Sequence, residues 1–294
     1  MPLSNLLSLG LFALATSSAF AAAAPKLPTV EIAAGVFMPY LSCGHPDDNS
    51  TELQDASLWL KAGGTGIDTA YDYGNQDQVG KAVRDFLKQQ HETGTGKVNR
   101  SSLFITTKIS PGGHPWGKPD NKNKCTKAGA LAAVREDLKE LQLSYVDLAL
   151  HHFPCKTTAE TRAVWQGLQA AQRLGLARAI GVSNFGASDL DAVLSLGGVP
   201  PAVNQCQMSI GSRDEATIKY CAAKGIVYQA YSALRHVNLT DARIVAVAKN
   251  HQASAAQVRS TKYAVRSTQY AVRSTQYAVR SAASMLGCRV QVGR

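Results

Sequence analysis

The chain has six cysteines but no C-x-x-C pair, and its adjacent His151 and His152 have no H-x-x-x-H companion. Those absences remove the usual ligand spacings of a zinc site, and no metal is expected. Nor do cysteines at positions 43, 125, 155, 206, 221 and 288 read as a disulfide framework. Cys206 sits in an apolar, strand-like run where a free thiol behaves as a small hydrophobe, so mostly free, buried thiols are expected. No G-x-G-x-x-G loop occurs, so the glycine fingerprint of a Rossmann dinucleotide site is missing. No acidic residue occurs from Arg259 onward. Seven of the 31 basic side chains lie from Arg259 onward, leaving 24 against 21 acidic ones, or +3, in the rest. The formal charge of +10 therefore marks no basic face on the body, and no nucleic-acid or membrane partner is expected.

What is present points to a folded body. Apolar residues at 45% and charged residues at 18% are ordinary for a globular protein, and 294 residues can bury a full core. The first residues, MPLSNLLSLGLFALATSSAFAAAAPKLP, hold an apolar run from Leu6 to Ala15 and then small residues up to an A-x-A-like site near Ala24. That run is too short to span a bilayer, and the pattern fits a secretory signal peptide over residues 1–24, although the segment before it has no Lys or Arg. Secretion is the expectation, with a cytoplasmic location as the alternative.

From Val30 onward, short apolar runs alternate with longer amphipathic ones, as repeated βα units require. The predicted strands are Met38 to Ser42, Gly66 to Asp68, Leu103 to Lys108, Val146 to His151, Ala179 to Val182, Ala202 to Cys206 and Ile226 to Ala230. Helices are predicted over Thr51 to Ala62, Asp77 to Gln89, Lys127 to Leu141, Ala159 to Leu174, Ser188 to Leu196, Asp214 to Lys224 and Thr240 to Gln257. Gly175, Gly197 and Gly225 serve as helix stops. This order predicts an α/β chain folded as a (β/α)8 TIM barrel with a missing or altered eighth βα unit. Polar residues gather at one end of these strands: Asp68, Lys108, His152, Ser183 and Asn184, Gln205, and Tyr231 with Ser232. A barrel enzyme builds its site at that end.

Within that set, Tyr73, Lys108, Asp68 and His152 answer the needs of carbonyl chemistry. A phenol has a reference pKa of about 10 and is a slow acid-base partner unaided. A nearby ammonium favours its phenolate form, a carboxylate can hold that ammonium, and a neutral histidine can orient the substrate oxygen. Taken singly, a D-x4-Y spacing suits a surface turn, and Lys108 or His152 alone suits a structural role. The full string from Gly64 to Val83, GxxIDTAxxYGNxxxVGxAV, resembles the aldo-keto reductase signature. FITTKIS around Lys108 and DLALHHFP around His152 are similar to that family's segments as well. The resemblance implies a catalytic set of Asp68, Tyr73, Lys108 and His152, with His151 standing where the family usually has an aliphatic residue. It further implies NADP(H) as the cofactor, bound without a Rossmann fold. Ser183, Asn184 and Gln205 would hold the nicotinamide carboxamide, Tyr231 would offer a stacking face, and Tyr231 to Leu234, including Ser232 and Leu234, would run along the pyrophosphate. Departures are Arg235 where a Gly is common, Gln207 in place of a Glu, and SCGHP at the end of the first strand. They mark a divergent subgroup.

The resemblance covers residues 28–258 and ends there. The chain continues as RSTKYAV, RSTQYAV, RSTQYAV and RSAASML, four sevens from Arg259 to Leu286. Tyr, Ala and Val are adjacent in each unit, not three and four apart, which excludes a coiled coil. Translated repetitive DNA or a faulty gene end accounts for the tail better than a basic stripe for phosphates does. The predicted organisation is thus a signal peptide at 1–24, a barrel at 25–258 and a repetitive tail at 259–294. Seven strands without an eighth would leave the first and seventh open unless a Tyr-Ala-Val segment filled the gap. NADPH affinity is then expected to be weak, since the family's 2′-phosphate grip has no counterpart. The expected function is NADPH-dependent reduction of a small-molecule aldehyde or ketone by a monomer, with Tyr73 as general acid. The alternatives are a catalytically impaired pseudoenzyme or NADPH-binding regulatory module, and a basic-tailed interaction protein. Substrate choice belongs to the loops, above all residues 110–125 with Trp116.

Overall fold

The computed structural model describes residues 28–44, 52–93, 98–110, 125–209, 212–233, 238–255 and 290–293. The expected signal peptide, the loop bearing Trp116, Leu234 with Arg235, and the four seven-residue repeats lie outside the described residues. Among the described residues no helix is long and apolar enough to cross a membrane.

The chain opens with a hairpin, β1 (Thr29–Ala33) and β2 (Val36–Pro39), turning at Gly35, whose φ of 70° suits a residue without Cβ. The sequence pattern places one strand over Met38 to Ser42, but two are found. β2 ends at Pro39, which has no N–H to continue a ladder, and β3 (Leu41–Gly44) starts anew in a different sheet. The βα units then follow in order: α1 (Glu52–Lys61), β4 (Gly66–Asp68), α2 (Gln76–Glu92), β5 (Phe104–Ile109), α3 (Lys127–Leu141), β6 (Val146–His151), α4 (Thr158–Arg173), β7 (Ala177–Ser183), α5 (Ala187–Leu194), β8 (Val203–Gln207), α6 (Glu215–Ala223), β9 (Val227–Tyr231) and α7 (Ala242–Asn250). The predicted stops Gly175, Gly197 and Gly225 have φ of 72°, 67° and 68°, the left-handed values that end a helix.

The strands close into a ring in the order β10-β3-β4-β5-β6-β7-β8-β9. Seven of them, β3 to β9, are parallel to their neighbours. The eighth, β10 (Val290–Gly293), pairs antiparallel with both β3 and β9. The altered eighth unit thus takes the form of a reversed strand, and the ring has no open edge. Residues 290–293, assigned from sequence to a tail outside the barrel, belong to it. In the backbone register Val290 pairs with Cys43 and Val292 with Leu41, so β10 enters from the end where the parallel strands finish and runs back down.

Alternation along the strands sorts side chains into two cores. Phe104, Leu148, Leu150, Ala179 and Val203 meet Val36 and Met38 of the hairpin, which plugs the bottom of the barrel interior. Ile105, Ile109, Ala149, Ile180 and Val182 face the helices, where they pack with residues such as Val134, Leu138, Trp165 and Leu168. At Gly181 an added Cβ would stand 2.6 Å from the Val203 carbonyl oxygen and 2.8 Å from Leu150 Cδ2, so the wall leaves no room for a side chain there. Below the site, the buried Asp147 carboxylate is held by Arg100 at 2.8 Å, Arg178 at 2.9 Å and the Ile105 N–H at 2.9 Å. The expectation of mostly free thiols needs correcting. Cys125 and Cys155 form a disulfide, Cys43 is disulfide-bonded too, and among the described residues Cys206 and Cys221 are free. Cys125 and Cys155 are far apart in sequence, and only the fold brings their Cα atoms to 6.4 Å.

Candidate active site

The same alternation that builds the core selects the polar cluster above it. On β5, Phe104 points into the lower core and Lys108, four residues on, faces the same interior with its side chain wholly buried. On β6 the inward set Leu148 and Leu150 continues to His152, so His151 is turned outward against Phe185, with ring centroids 5.3 Å apart. Asp68 ends β4, and Tyr73 closes the 3-10 turn Tyr71–Tyr73 that follows.

These residues meet. Lys108 Nζ donates to Tyr73 Oη at 3.1 Å and to the Thr69 carbonyl at 3.2 Å, and it is in ion-pair contact with Asp68 Oδ1. Gln205 donates to Asp68 Oδ2 at 2.8 Å and to Gln229 Oε1 at 2.9 Å. The ammonium and its counter-ion are therefore fixed from two sides. The ring of His152 lies edge-on to Tyr73 with centroids 5.8 Å apart, and it stacks on Phe153 at 4.4 Å.

Burial and charge compete at each group. Burial raises the Tyr73 phenol above its ordinary value and outweighs the opposing pull of Lys108. Lys108 pulls the phenol toward phenolate as expected, and burial sets the net direction upward. At Lys108 burial presses downward, but Asp68 and then Tyr73 outweigh it and hold the ammonium above its usual range. His152 is lowered by burial, against the upward pull of Asp72. His151, sealed in and next to His152, is pushed down to about 3.

The residues expected at the cofactor form one connected chain of hydrogen bonds. Tyr231 Oη donates to Asn184 Oδ1 at 2.8 Å, and Asn184 Nδ2 donates to the His152 carbonyl and to Ser183 Oγ, both at 3.0 Å. Ser183 Oγ in turn donates to the Gln205 carbonyl at 2.8 Å. Asn184 and Ser232, at the ends of β7 and β9, hold φ of 63° and 53°, a left-handed backbone that non-glycine residues adopt at a cost. Ser232 adjoins this chain in sequence, half-buried, and Leu234 is outside the described residues.

Two groups at the site went unnoticed in the sequence. Asp72 Oδ2 lies 3.0 Å from His152 Nδ1, with Ser110 Oγ 3.3 Å from the same nitrogen. The signal for Asp72 lay inside the string itself, in the positions between Ala70 and Tyr73, where no role was assigned. Among the described residues no cluster of His, Cys, Asp and Glu is arranged to hold a metal ion.

A barrel carrying a buried Lys–Asp pair beside a half-buried Tyr at the ends of its parallel strands defines a class of enzyme-like proteins. The comparisons narrow it. A family model described as "Aldo/keto reductase family" matches residues 44–285, and the chain belongs to that family. The match runs past residue 258, where the resemblance of the motifs stops. An aldo-keto reductase of Mycolicibacterium smegmatis is 34% identical over 237 residues, covering 80% of this chain and 76% of that one. The aldo-keto reductase AKR2E4 of Bombyx mori is 32% identical over 223 residues, covering 71% of this chain and 67% of that one. Its crystal structure, a complex with NADP, superposes with a TM-score of 0.69 over 88% of this chain and 92% of that chain. An aldo/keto reductase structure from Brucella melitensis gives 0.70 at 27% identity, over 86% of this chain and 92% of that one.

Proposed function

We propose that this protein reduces an aldehyde or ketone to an alcohol with NADPH, Tyr73 acting as the general acid. The observation that carries the reading is the 3.1 Å contact between Lys108 Nζ and Tyr73 Oη, backed by Asp68. The donor set fits the cofactor. Ser183, Asn184 and Gln205 bring hydroxyl and amide groups of the kind that bind a carboxamide, within one network reaching Asp68. Tyr231 stands at its edge as a flat ring, bonded to Asn184.

NADPH, when bound, supplies a hydride to the carbonyl carbon. The Tyr73 phenol gives its proton to the carbonyl oxygen. Its raised pKa keeps that proton in place until charge develops on the oxygen. The phenolate left behind sits 3.1 Å from an ammonium, and in a site of low dielectric that pairing offsets much of the cost of forming it. Asp68 and Gln205 hold the ammonium so that it need not reorganise.

The test is consumption of NADPH with an aromatic aldehyde, followed by its absorbance. Tyr73→Phe is expected to lower kcat by about 10²-fold or more, since a positioned acid contributes that much. A loss smaller than about tenfold means that another group delivers the proton. A second reading, an NADPH-binding module with impaired turnover, is favoured by the reversed eighth strand. Tight NADPH binding without turnover of any carbonyl would select it.

A further inference from the structure

His152 presents a problem of proton placement. An ionised carboxylate accepts hydrogen bonds and cannot donate. With Asp72 Oδ2 at 3.0 Å from Nδ1, the ring proton belongs on Nδ1. The Asp72 side chain is 5% exposed, so the pairing is sheltered from water. Asp72 and Ser110 both engage Nδ1, which leaves Nε2 as the nitrogen for a ligand. A neutral ring with its proton on Nδ1 has a bare lone pair at Nε2. A carbonyl oxygen is also only an acceptor, and the two cannot bond.

We propose that Asp72 is a positioning residue that fixes His152 in its Nδ1–H form, so that only the imidazolium, through its Nε2–H, can donate to the substrate oxygen. This rests on the reductase reading above and replaces the expected neutral donor. In the imidazolium, Nδ1–H stays on Asp72 while Nε2–H donates to the substrate oxygen. During reduction the hydride goes to carbon and the Tyr73 proton to oxygen, and His152 keeps both of its protons. In the reverse direction the same Nε2–H donates to the alcohol oxygen, the single hydroxyl proton of the alcohol passes to the Tyr73 phenolate, and the hydride leaves carbon for NADP+; His152 keeps both protons in both directions.

The groups facing His152 are Asp72 and Tyr73 from the 3-10 turn, Asp68 from β4, Lys108 and Ser110 from β5 and the residue after it, and His151 and Phe153 beside it. Burial and Lys108 disfavour the imidazolium, Asp72 and Asp68 favour it, and the balance falls below the ordinary histidine value. Reduction should therefore fade as pH rises.

The test pairs kinetics with imidazole 15N NMR of the cofactor-free protein. For the wild type, NMR should show the Nδ1–H tautomer at pH 8, and kcat/KM for reduction should fall at least tenfold from pH 6 to pH 8. Asp72→Asn can donate its amide N–H to Nδ1. That variant should show the Nε2–H tautomer and lose less than threefold over the same range, while Asp72→Glu keeps the wild-type profile. An Nε2–H tautomer in the wild type, or identical pH profiles for wild type and Asp72→Asn, overturns the proposal. An Nδ1–H tautomer with no turnover at any pH upholds the role of Asp72 on His152 and overturns the reductase reading instead.

Discussion

Two neighbouring histidines, His151 and His152, carry opposite chemistries because consecutive side chains on a strand face opposite sides. His152 faces the site. His151 is enclosed between barrel and helices, its Nδ1 without a hydrogen bond, and its pKa falls to about 3. The unfolded chain binds a proton at about 6.5 that the folded chain refuses. Its contribution to stability is therefore intact above pH 6.5 and is lost as pH falls toward 3. Across that window the loss approaches roughly 4 kcal/mol. His151→Leu removes it, so the wild-type and variant melting temperatures should diverge progressively between pH 7 and pH 4, with the variant the more stable. Parallel melting curves over that range would show that His151 is charged when folded. His152 was legible as a strand-end residue because Phe153 and Pro154 follow it and the β6 alternation continues to it, and its ring lies beside Tyr73. Asp72 escaped notice because its partner lies 80 positions away, a distance no local pattern spans.

Among the elements, the helices and inner strands were legible and the hairpin was not. α3 runs from Lys127 to Leu141 as its apolar spacing requires, capped by Thr126 Oγ1, which accepts from the Gly129 N–H. β4 and β6 also stand where alternation and apolar runs put them. β1 and β2 were missed or merged because each is short and because Pro39 divides two strands of one apolar run. The walls between strands make their own demand. Gly181→Ala would drive a methyl toward the backbone of Val203, an obstacle that cannot rotate away. We expect a loss of about 1–3 kcal/mol by chemical denaturation, the usual range for overpacking. A stability change near zero would mean that β7 and β8 separate at little cost.

For the whole molecule, the count of seven parallel strands was readable from the alternation of apolar runs, and the means of closure was not. Nothing in the repeats announces that Val290–Gly293 pairs with both flanks of the gap, because pairing to distant strands leaves no local signature. A reversed strand closes the ring without being a further parallel βα unit. The expectation of weak NADPH affinity therefore stands as a prediction: fluorescence titration should give a Kd well above micromolar, and micromolar or tighter binding would refute it. The Cys125–Cys155 disulfide fits an oxidising compartment, and we propose secretion on that ground together with the N-terminal segment.

Ring closure joins Leu41 to Val292, residues near opposite ends of the polypeptide. During translation β3 waits for this partner until all seven parallel strands have been made. Until then the nascent barrel is a curved sheet with two bare edges, and β10 acts as the clasp.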